Sequence, residues 1–424
     1  IAGASSGSQR LDRQLVAYEI REINADNLPE LHRVASTAFG EDMKPEQLED
    51  ERLVIEYDRM IGVGDGDQLV ASAGAYSFDL TVPGGNLVPM AGVTWVSCLP
   101  SHRRRGILRK MMKFQLDDVA RRGEAIAGLT ASEAVIYGRF GYGVASQFAE
   151  AKVRKSKAGF IAESKASGRI RMVWDDEKPK VLPAIFDEWR RQRSGSVDRS
   201  DGRWEQLLRD RPADRHGASA MYHAVHEDKR GVPDGYVAYR VKQGEDDGDS
   251  TGIVREVVAI DPEVEAALWR FVFDIDLIDR YVLRIEPVDS QLPWRLADPR
   301  AHHINGMWDF LWLRIMNTPA ALAARTYAAE DSLVVEVVDP FRPRGAAAGV
   351  FRLDGGPDGA TCTKEKSARP DLTLSVDALG AAYLGGVRWS TLAAAGRVAG
   401  TPAALERADA LFTSTRLPFC NTGF

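Results

Sequence analysis

The sequence predicts an α/β fold class with more than one core, on three observations. Its 424 residues are roughly two to three times a typical domain length. Its composition, 44% hydrophobic and 27% charged, is that of globular proteins and supplies enough apolar side chain for sizeable cores. Its apolar spacing alternates between strand-like and helix-like segments along the chain, as an α/β protein requires.

The elements follow in order. Residues 1–15, rich in Gly, Ser and Ala at the start, read as a flexible tail; they lack the basic region and apolar core of a signal peptide. A first region runs over residues 16–150. Asp26-Asn27-Leu28-Pro29 marks a helix entry, with Leu31, Val34, Ala35 and Ala38 at helical spacing. Strands are predicted at Gln68 to Phe78 and Leu87 to Cys98, joined by the turn sequence Val82-Pro83-Gly84-Gly85-Asn86. A helix then carries Ile107, Leu108, Met111, Met112 and Val119 on one side, ended by Gly123 as a left-handed cap. Ala125 to Leu129 reads as a further strand.

A second region covers residues 151–306. Val181 to Arg190 is predicted helical, and Gly235 to Val241 and Val254 to Ile260 are predicted strands. Asp261-Pro262 then suits a cap followed by the first helical residue. Lys242 to Gly252 is acidic and Gly-rich, an exposed loop. The third region, residues 307–424, begins with Trp308 to Ala324. It continues with strands at Ser332 to Val338, Ala348 to Leu353 and Asp371 to Val376, and ends in helical runs including Ala403 to Phe412.

The net charge of -6 gives no general reason to expect nucleic acid or an acidic membrane as partner. Cys98, Cys362 and Cys420 are too few and too far apart for a disulfide framework or a metal site, which fits a reducing cytoplasm. No apolar run approaches the ~20 residues of a membrane span, so the protein is expected to be soluble. His223-x-x-His226 and His302-His303 lack partners at convincing ligand spacing, and no metal is expected.

One segment carries chemistry: Val93-Thr94-Trp95-Val96-Ser97-Cys98-Leu99-Pro100-Ser101-His102-Arg103-Arg104-Arg105-Gly106-Ile107-Leu108. A strand ends, a proline turns the chain, and three arginines and a glycine open a helix. Arginines in a first helical turn oppose the positive end of the helix dipole, where free amides also point outward. Such an arrangement is stable with an anion between them, and phosphate is the natural choice. A lone basic run would instead be a solvated surface. His102 either begins the turn or contacts the phosphate.

Arg103-x-x-Gly106-x-Leu108 resembles the pyrophosphate loop of the Gcn5-related N-acetyltransferases, with Leu108 where most relatives have Gly or Ala. Leu129 to Gly143 (LTASEAVIYGRFGYG) resembles more narrowly the Eis (enhanced intracellular survival) aminoglycoside acetyltransferases. So do Leu311-Trp312-Leu313-Arg314-Ile315-Met316-Asn317 with Pro319-Ala320-Ala321-Leu322, and Tyr383-Leu384-Gly385-Gly386 with Ser390 to Ala395.

The resemblance implies tandem acetyltransferase folds, the second degenerate, followed by a sterol-carrier-protein-like α/β domain. It implies acetyl-CoA as cosubstrate, held by the main chain of Val96 and Cys98. Ser97, Arg103, Arg104, Arg105, Gly106, Ile107, Leu108 and Ser132 complete that set. Tyr137 is implied as general acid and the C-terminal carboxylate of Phe424 as general base; otherwise these are a core aromatic and a frayed end. Aminoglycosides, polyamines or protein lysine are the implied acceptors, and a homo-oligomer, a hexamer, the implied assembly. In the second region Glu263 and Glu265 stand where anion donors would be needed, and no coenzyme is expected there.

Glu41, Asp42, Glu46, Glu49, Asp50 and Glu51 form an acidic stretch, either an amine-binding wall or a solvated helix face. Glu41 and Asp42 are the preferred substrate contacts. No tryptophan occurs between Glu41 and Tyr57, where related enzymes often have one. A different class of function, binding of apolar ligands by the third region, is the rival reading.

Overall fold

The computed structural model describes residues 18–42, 44–244 and 249–424. The expected tail over residues 1–15, and residues 245–248 of the acidic loop, lie outside the described residues. The described residues build three sheets. In the first, β1 (Glu19–Glu22), β2 (Ile61–Asp65), β3 (Gln68–Thr81) and β4 (Leu87–Cys98) are antiparallel neighbours in that order. β4 then pairs in parallel with β5 (Ile126–Thr130). Between β5 and the edge strand β6 (Gly143–Val144) lies Leu311–Ile315, antiparallel to both.

That last strand corrects the sequence reading, which starts the third region before it. All five of its residues are buried, and a strand buried on both faces belongs inside a sheet, not at a domain entry. Likewise Gln147–Arg154, which straddles the expected end of the first region, is a strand of the second sheet.

Helices cover the first sheet for reasons the sequence makes plain. α1 (Leu28–Phe39) has Pro29 in its first turn and Gly40 after it at φ 73. It buries Leu28, Leu31 and Val34, each worth about 1.5–3 kcal/mol. α2 (Pro45–Glu51) is built from the acidic stretch and contains no fully buried residue. α3 (Ile107–Arg121) buries Ile107, Met111, Met112, Leu116 and Val119, and Gly123 follows at φ 77.

The second sheet repeats the plan. Its order is His302–Asp309, Gln147–Arg154, Arg280–Pro287, Thr251–Ala259, Pro233–Lys242, Tyr222–Glu227, Arg169–Val173. Its one parallel pair, Thr251–Ala259 with Arg280–Pro287, is joined through the helix Pro262–Asp274, as β4 and β5 are joined through α3. The third sheet has five strands, in the order Gly359–Glu365, Gly349–Gly356, Asp331–Val338, Leu372–Ser375, Val398–Gly400.

The third unit packs on the first sheet without a break in the core. Leu80, Met90 and Ile126 share one apolar cluster with Leu379, Ala382 and Trp389. Arg314, fully buried on the inserted strand, pairs with Asp339 of the third unit at 2.6 Å. After its last helix (Pro402–Phe412) the chain turns back, and residues 418–422 are buried between the first two units.

Candidate active site

β4 and β5 pair only from Met90–Gly92 to Ile126–Gly128; beyond those residues they have no common ladder. The cause is on β4. Opposite β3, Ser72 faces Ser97 and Gly74 faces Thr94, so Trp95 and Val96 together stand against Ala73. This bulge bends the strand and leaves main-chain groups unpaired on the β5 side. Trp95 sits there at φ 56, a left-handed conformation that costs a non-glycine residue about 1–3 kcal/mol. Ser72 Oγ donates to the Trp95 carbonyl at 2.6 Å and exchanges a hydrogen bond of 2.6 Å with Ser97 Oγ. Ser97 is therefore turned into the core and offers the cleft only its main chain. The Cys98 thiol is pushed up by burial, against the pull of Arg103 and Arg105.

The basic segment differs from its expectation in one respect. Arg103, Arg104 and Arg105 precede α3 instead of forming its first turn, because Arg104 at φ 63 and Gly106 at φ 83 interrupt a helical path. The helix starts at Ile107 with no side-chain cap, so its first amides remain available to an anion. Arg103 donates to Ala38 O at 2.8 Å and Arg105 to Tyr18 OH at 3.0 Å. His102 pairs with Asp65 at 3.1 Å. Ile107 and Leu108 pack inward and contribute main chain only. A splayed strand pair, an uncapped helix start and three guanidinium groups fit a pyrophosphate-bearing thioester such as acetyl-CoA.

A cavity of about 670 Å³ opens where the strands part. Tyr137, Ser132, Val96 and Phe424 line it, although they come from both ends of the chain. Tyr137 stands at the end of the short helix Ala134–Tyr137, 5% exposed. Burial, and secondarily the charge of Glu133, push its hydroxyl up to about 12. Tyr142, in contrast, is fully buried behind it, ring edge to ring face at 6.1 Å. The Phe424 ring packs on Phe78 at 4.8 Å, and its main-chain oxygen accepts from Thr130 Oγ1 at 3.0 Å. Gly92 makes room for this: a Cβ there would meet the Phe78 ring at 2.4 Å and Phe424 at 3.1 Å.

The tail is held by a buried network. Arg199 pairs bidentately with Glu256 at 2.8 and 3.1 Å and donates to Thr422 Oγ1 at 3.0 Å. Asn421 Nδ2 donates to the same Glu256 at 2.8 Å, and Tyr236 OH does so at 2.8 Å. Sequence alone gives no sign of this clamp, since its members lie up to 223 residues apart.

One side of the cavity is acidic. Glu41, Asp50, Glu51 and Asp214 line it, and among the described residues no lysine or arginine does. Asp42 is exposed and does not line it. Glu49 is turned to Arg211 at 3.1 Å. Burial would raise Asp50, but ion pairs with Arg211 and Arg209 outweigh it and hold the carboxyl below the usual range. Glu51 is raised by burial. His32, which also lines the cavity, is lowered by burial, partly countered by Glu41. His32, Glu51, Asp214 and Trp95 were not singled out from sequence; only the acidic character of α2 hinted at Glu51.

In the second unit the corresponding helix start is closed from within. Asp261 caps the Glu263 amide, and the Glu263 carboxylate takes the Lys165 amide at 2.8 Å and Arg295 at 2.9 Å. His226 pairs with Asp234 at 2.6 Å and His302 with Glu286 at 2.7 Å. Burial lowers His223 to about 4. Among the described residues no cluster of His, Cys, Asp and Glu is arranged to hold a metal ion, and no helix is long and apolar enough to cross a membrane.

Residues 19–145 match the family model of the acetyltransferase (GNAT) domain, and residues 195–315 match a second model of that description. Residues 318–421 match the sterol carrier protein domain. The chain is 40% identical to an uncharacterized N-acetyltransferase of Streptomyces coelicolor, over 91% of this chain and 95% of that protein. It is 36% identical to N-acetyltransferase Eis of Mycobacterium tuberculosis, over 92% of this chain and 95% of the relative. Among solved structures, Eis1 of Mycobacterium abscessus superposes with a TM-score of 0.84 at 35% identity, covering 96% of this chain and 100% of that one.

Proposed function

Because the chain belongs to the Eis family of GNAT N-acetyltransferases and is an enzyme that acetylates amines, we propose that its acceptors are polycationic amines, aminoglycosides foremost. The observation that carries this reading is the cavity itself. Tyr137, Phe424 and four carboxylates meet in one space with no lysine or arginine among its described lining residues. A polycation gains from such a wall, whereas a neutral or anionic acceptor does not.

Acetyl-CoA supplies the activated acetyl group. The main chain of Val96 and Cys98, with Ser132, would hold its thioester end, and the 103–108 segment its pyrophosphate. The thioester breaks only when its sulfur accepts a proton, and Tyr137 holds one: a hydroxyl pushed up to about 12 is protonated throughout the physiological range. The acceptor reaches the site as an ammonium and must lose a proton to attack. The terminal carboxylate of Phe424, kept in place by Thr130, receives that proton directly or through water. Its intrinsic basicity is low, so its contribution is mainly one of position. Glu41 and Glu51 hold the remaining ammonium groups of the acceptor.

The test is coenzyme A release measured with kanamycin A, spermidine and a lysine peptide. Turnover of kanamycin A and spermidine well above the peptide is expected; a preference for the peptide would move the reading to protein lysine. Appending two glycines after Phe424 displaces the carboxylate and keeps every side chain. That variant should bind acetyl-CoA normally and acetylate poorly; full activity would exclude the carboxylate as base. Arg104→Ala and Arg105→Glu should weaken acetyl-CoA binding by about tenfold or more, the scale of a lost charge-assisted hydrogen bond. Arg104 has no protein partner among the described hydrogen bonds and ion pairs, so its melting temperature should stay at the wild-type value.

A further inference from the structure

The bulge that opens the acetyl-CoA cleft is tied to the acceptor pocket by a short chain of hydrogen bonds. Trp95 Nε1 donates to Tyr76 OH at 3.0 Å, and Tyr76 OH donates to Glu51 Oε2 at 3.3 Å. At one end Glu51 lines the acidic cavity; at the other Trp95 holds a left-handed backbone in the strand offered to acetyl-CoA. Resting on the function proposed above, we infer that Glu51, Tyr76 and Trp95 are positioning residues that couple acceptor binding to the coenzyme cleft.

The physical case has three parts. A strained φ persists only where its surroundings over-determine it. Ser72 holds the Trp95 carbonyl, and the indole direction depends on Tyr76 and on edge contact with His32, ring centroids 6.2 Å apart. Second, Tyr76 has a single hydroxyl proton. Given to Glu51, it leaves the oxygen free to accept the indole N–H, so the polarity of the chain is fixed from the carboxylate end. The Arg203 guanidinium stands 5.0 Å over the Tyr76 ring and keeps the ring in place.

Third, Glu51 is a half-satisfied anion before the acceptor arrives. Asp50 beside it is answered by Arg209 and Arg211, but among the described residues no lysine or arginine pairs with Glu51. Burial accordingly disfavours its charged form, and the neighbouring charge of Asp50 adds to this, against the attraction of Arg203. An ammonium group seated in the cavity supplies the missing countercharge. The carboxylate that meets the ammonium also accepts from Tyr76, and a hydrogen bond to a charged acceptor is roughly twice as strong as a neutral one, so seating the amine fixes the Tyr76 hydroxyl. Tyr76 then fixes the indole, and the indole fixes the bulge. Acceptor and coenzyme thus bind better together than apart, and the coupling is reciprocal.

The experiment is calorimetry of coenzyme A binding to the full chain, with and without saturating kanamycin A, or spermidine where the aminoglycoside does not turn over. In the wild type the amine should tighten coenzyme A binding about fivefold or more, the lower end of ordinary coupling. Tyr76→Phe removes one hydroxyl and keeps the ring; Trp95→Phe removes one N–H and keeps an aromatic. Tyr76→Phe should bind coenzyme A alone within about threefold of wild type, yet lose the tightening, and Trp95→Phe should lose the tightening as well. The double variant should lose no more than either single one, because both cut the same chain. Glu51→Gln should weaken the amine and abolish the coupling together. If one phenylalanine variant melts early, the other carries the test. No tightening in the wild type, tightening that survives Tyr76→Phe and Trp95→Phe, or additive losses in the double variant would each overturn the relay. Failure of the wild type to acetylate any of these amines would instead refute the proposed function, so the two failures are separable.

Discussion

Tyr137→Phe will lower kcat about 10²–10⁴-fold and leave KM for both substrates within about threefold, because on the proposed mechanism it removes a proton donor and nothing else. The ring is 5% exposed and packs on Tyr142 at 6.1 Å; phenylalanine keeps that packing. The hydroxyl makes no hydrogen bond among those described, so its loss breaks no network and the melting temperature should hold. The pH profile adds a second check. With the hydroxyl pushed up to about 12, the wild-type rate should show no alkaline loss from this group until about pH 11. Stopped-flow release of coenzyme A across pH reads both. A kcat close to wild type in Tyr137→Phe would transfer the role to water.

Arg199→Gln is expected to be the most damaging change outside the cavity. Its side chain is 3% exposed, its partner Glu256 12% exposed, and the pair also holds Asn421 and Thr422. Removing one member of a buried pair costs about 3–5 kcal/mol, since the other is left charged and unmatched. The expected result is a melting temperature lower by about 10 °C, at roughly 2–4 °C per kcal/mol for a domain of 150–250 residues. Activity should fall further than stability, because the tail that seats Phe424 is released; thermal melts and kcat on the same preparation separate the two. Acid should do the same reversibly. Burial opposes ionisation of Glu256, but Arg199 outweighs it and holds the carboxyl below its ordinary value of 4.5. A lowered native value means this stabilisation is complete above about pH 4.5 and disappears as pH falls through the native value.

What the sequence made legible was local. Val82 to Asn86 announced its turn, Leu28-Pro29 its helix, and Asp261-Pro262 its cap, each because the relevant hydrogen bonds close within a few residues. The order of strand, turn and helix over residues 93–108 was legible for the same reason. Its arginines were placed one turn too far along, since the left-handed Arg104 has no signature in composition. Long-range pairing was not legible. Leu311–Ile315 reads as an apolar run that fits several neighbours, and only the burial of all five residues decides for the first sheet. Gly359–Glu365 went unassigned because its alternation is of polar residues at a sheet edge. Of the two carboxylates preferred as substrate contacts, Glu41 lines the cavity and Asp42 does not, because adjacent carboxylates look alike until the chain path after α1 turns one toward the cavity. Glu51 gained its place through Tyr76, a partner 25 residues away.

The inserted strand also bears on how this enzyme comes into being on the ribosome. The first sheet cannot close when β6 emerges, because the strand between β5 and β6 is still about 170 residues from being made. At about 5–20 residues per second, roughly 10–30 s pass before it arrives. During that interval Met90, Ile126 and their neighbours lack the core partners later supplied by Leu311, Leu313 and the third unit. The nascent chain therefore presents an open sheet edge and an unsealed apolar face, the features that recruit chaperones and invite mispairing. The tail that carries Phe424 into the cavity is made after all three sheets, so the cavity is completed only when that interval is over.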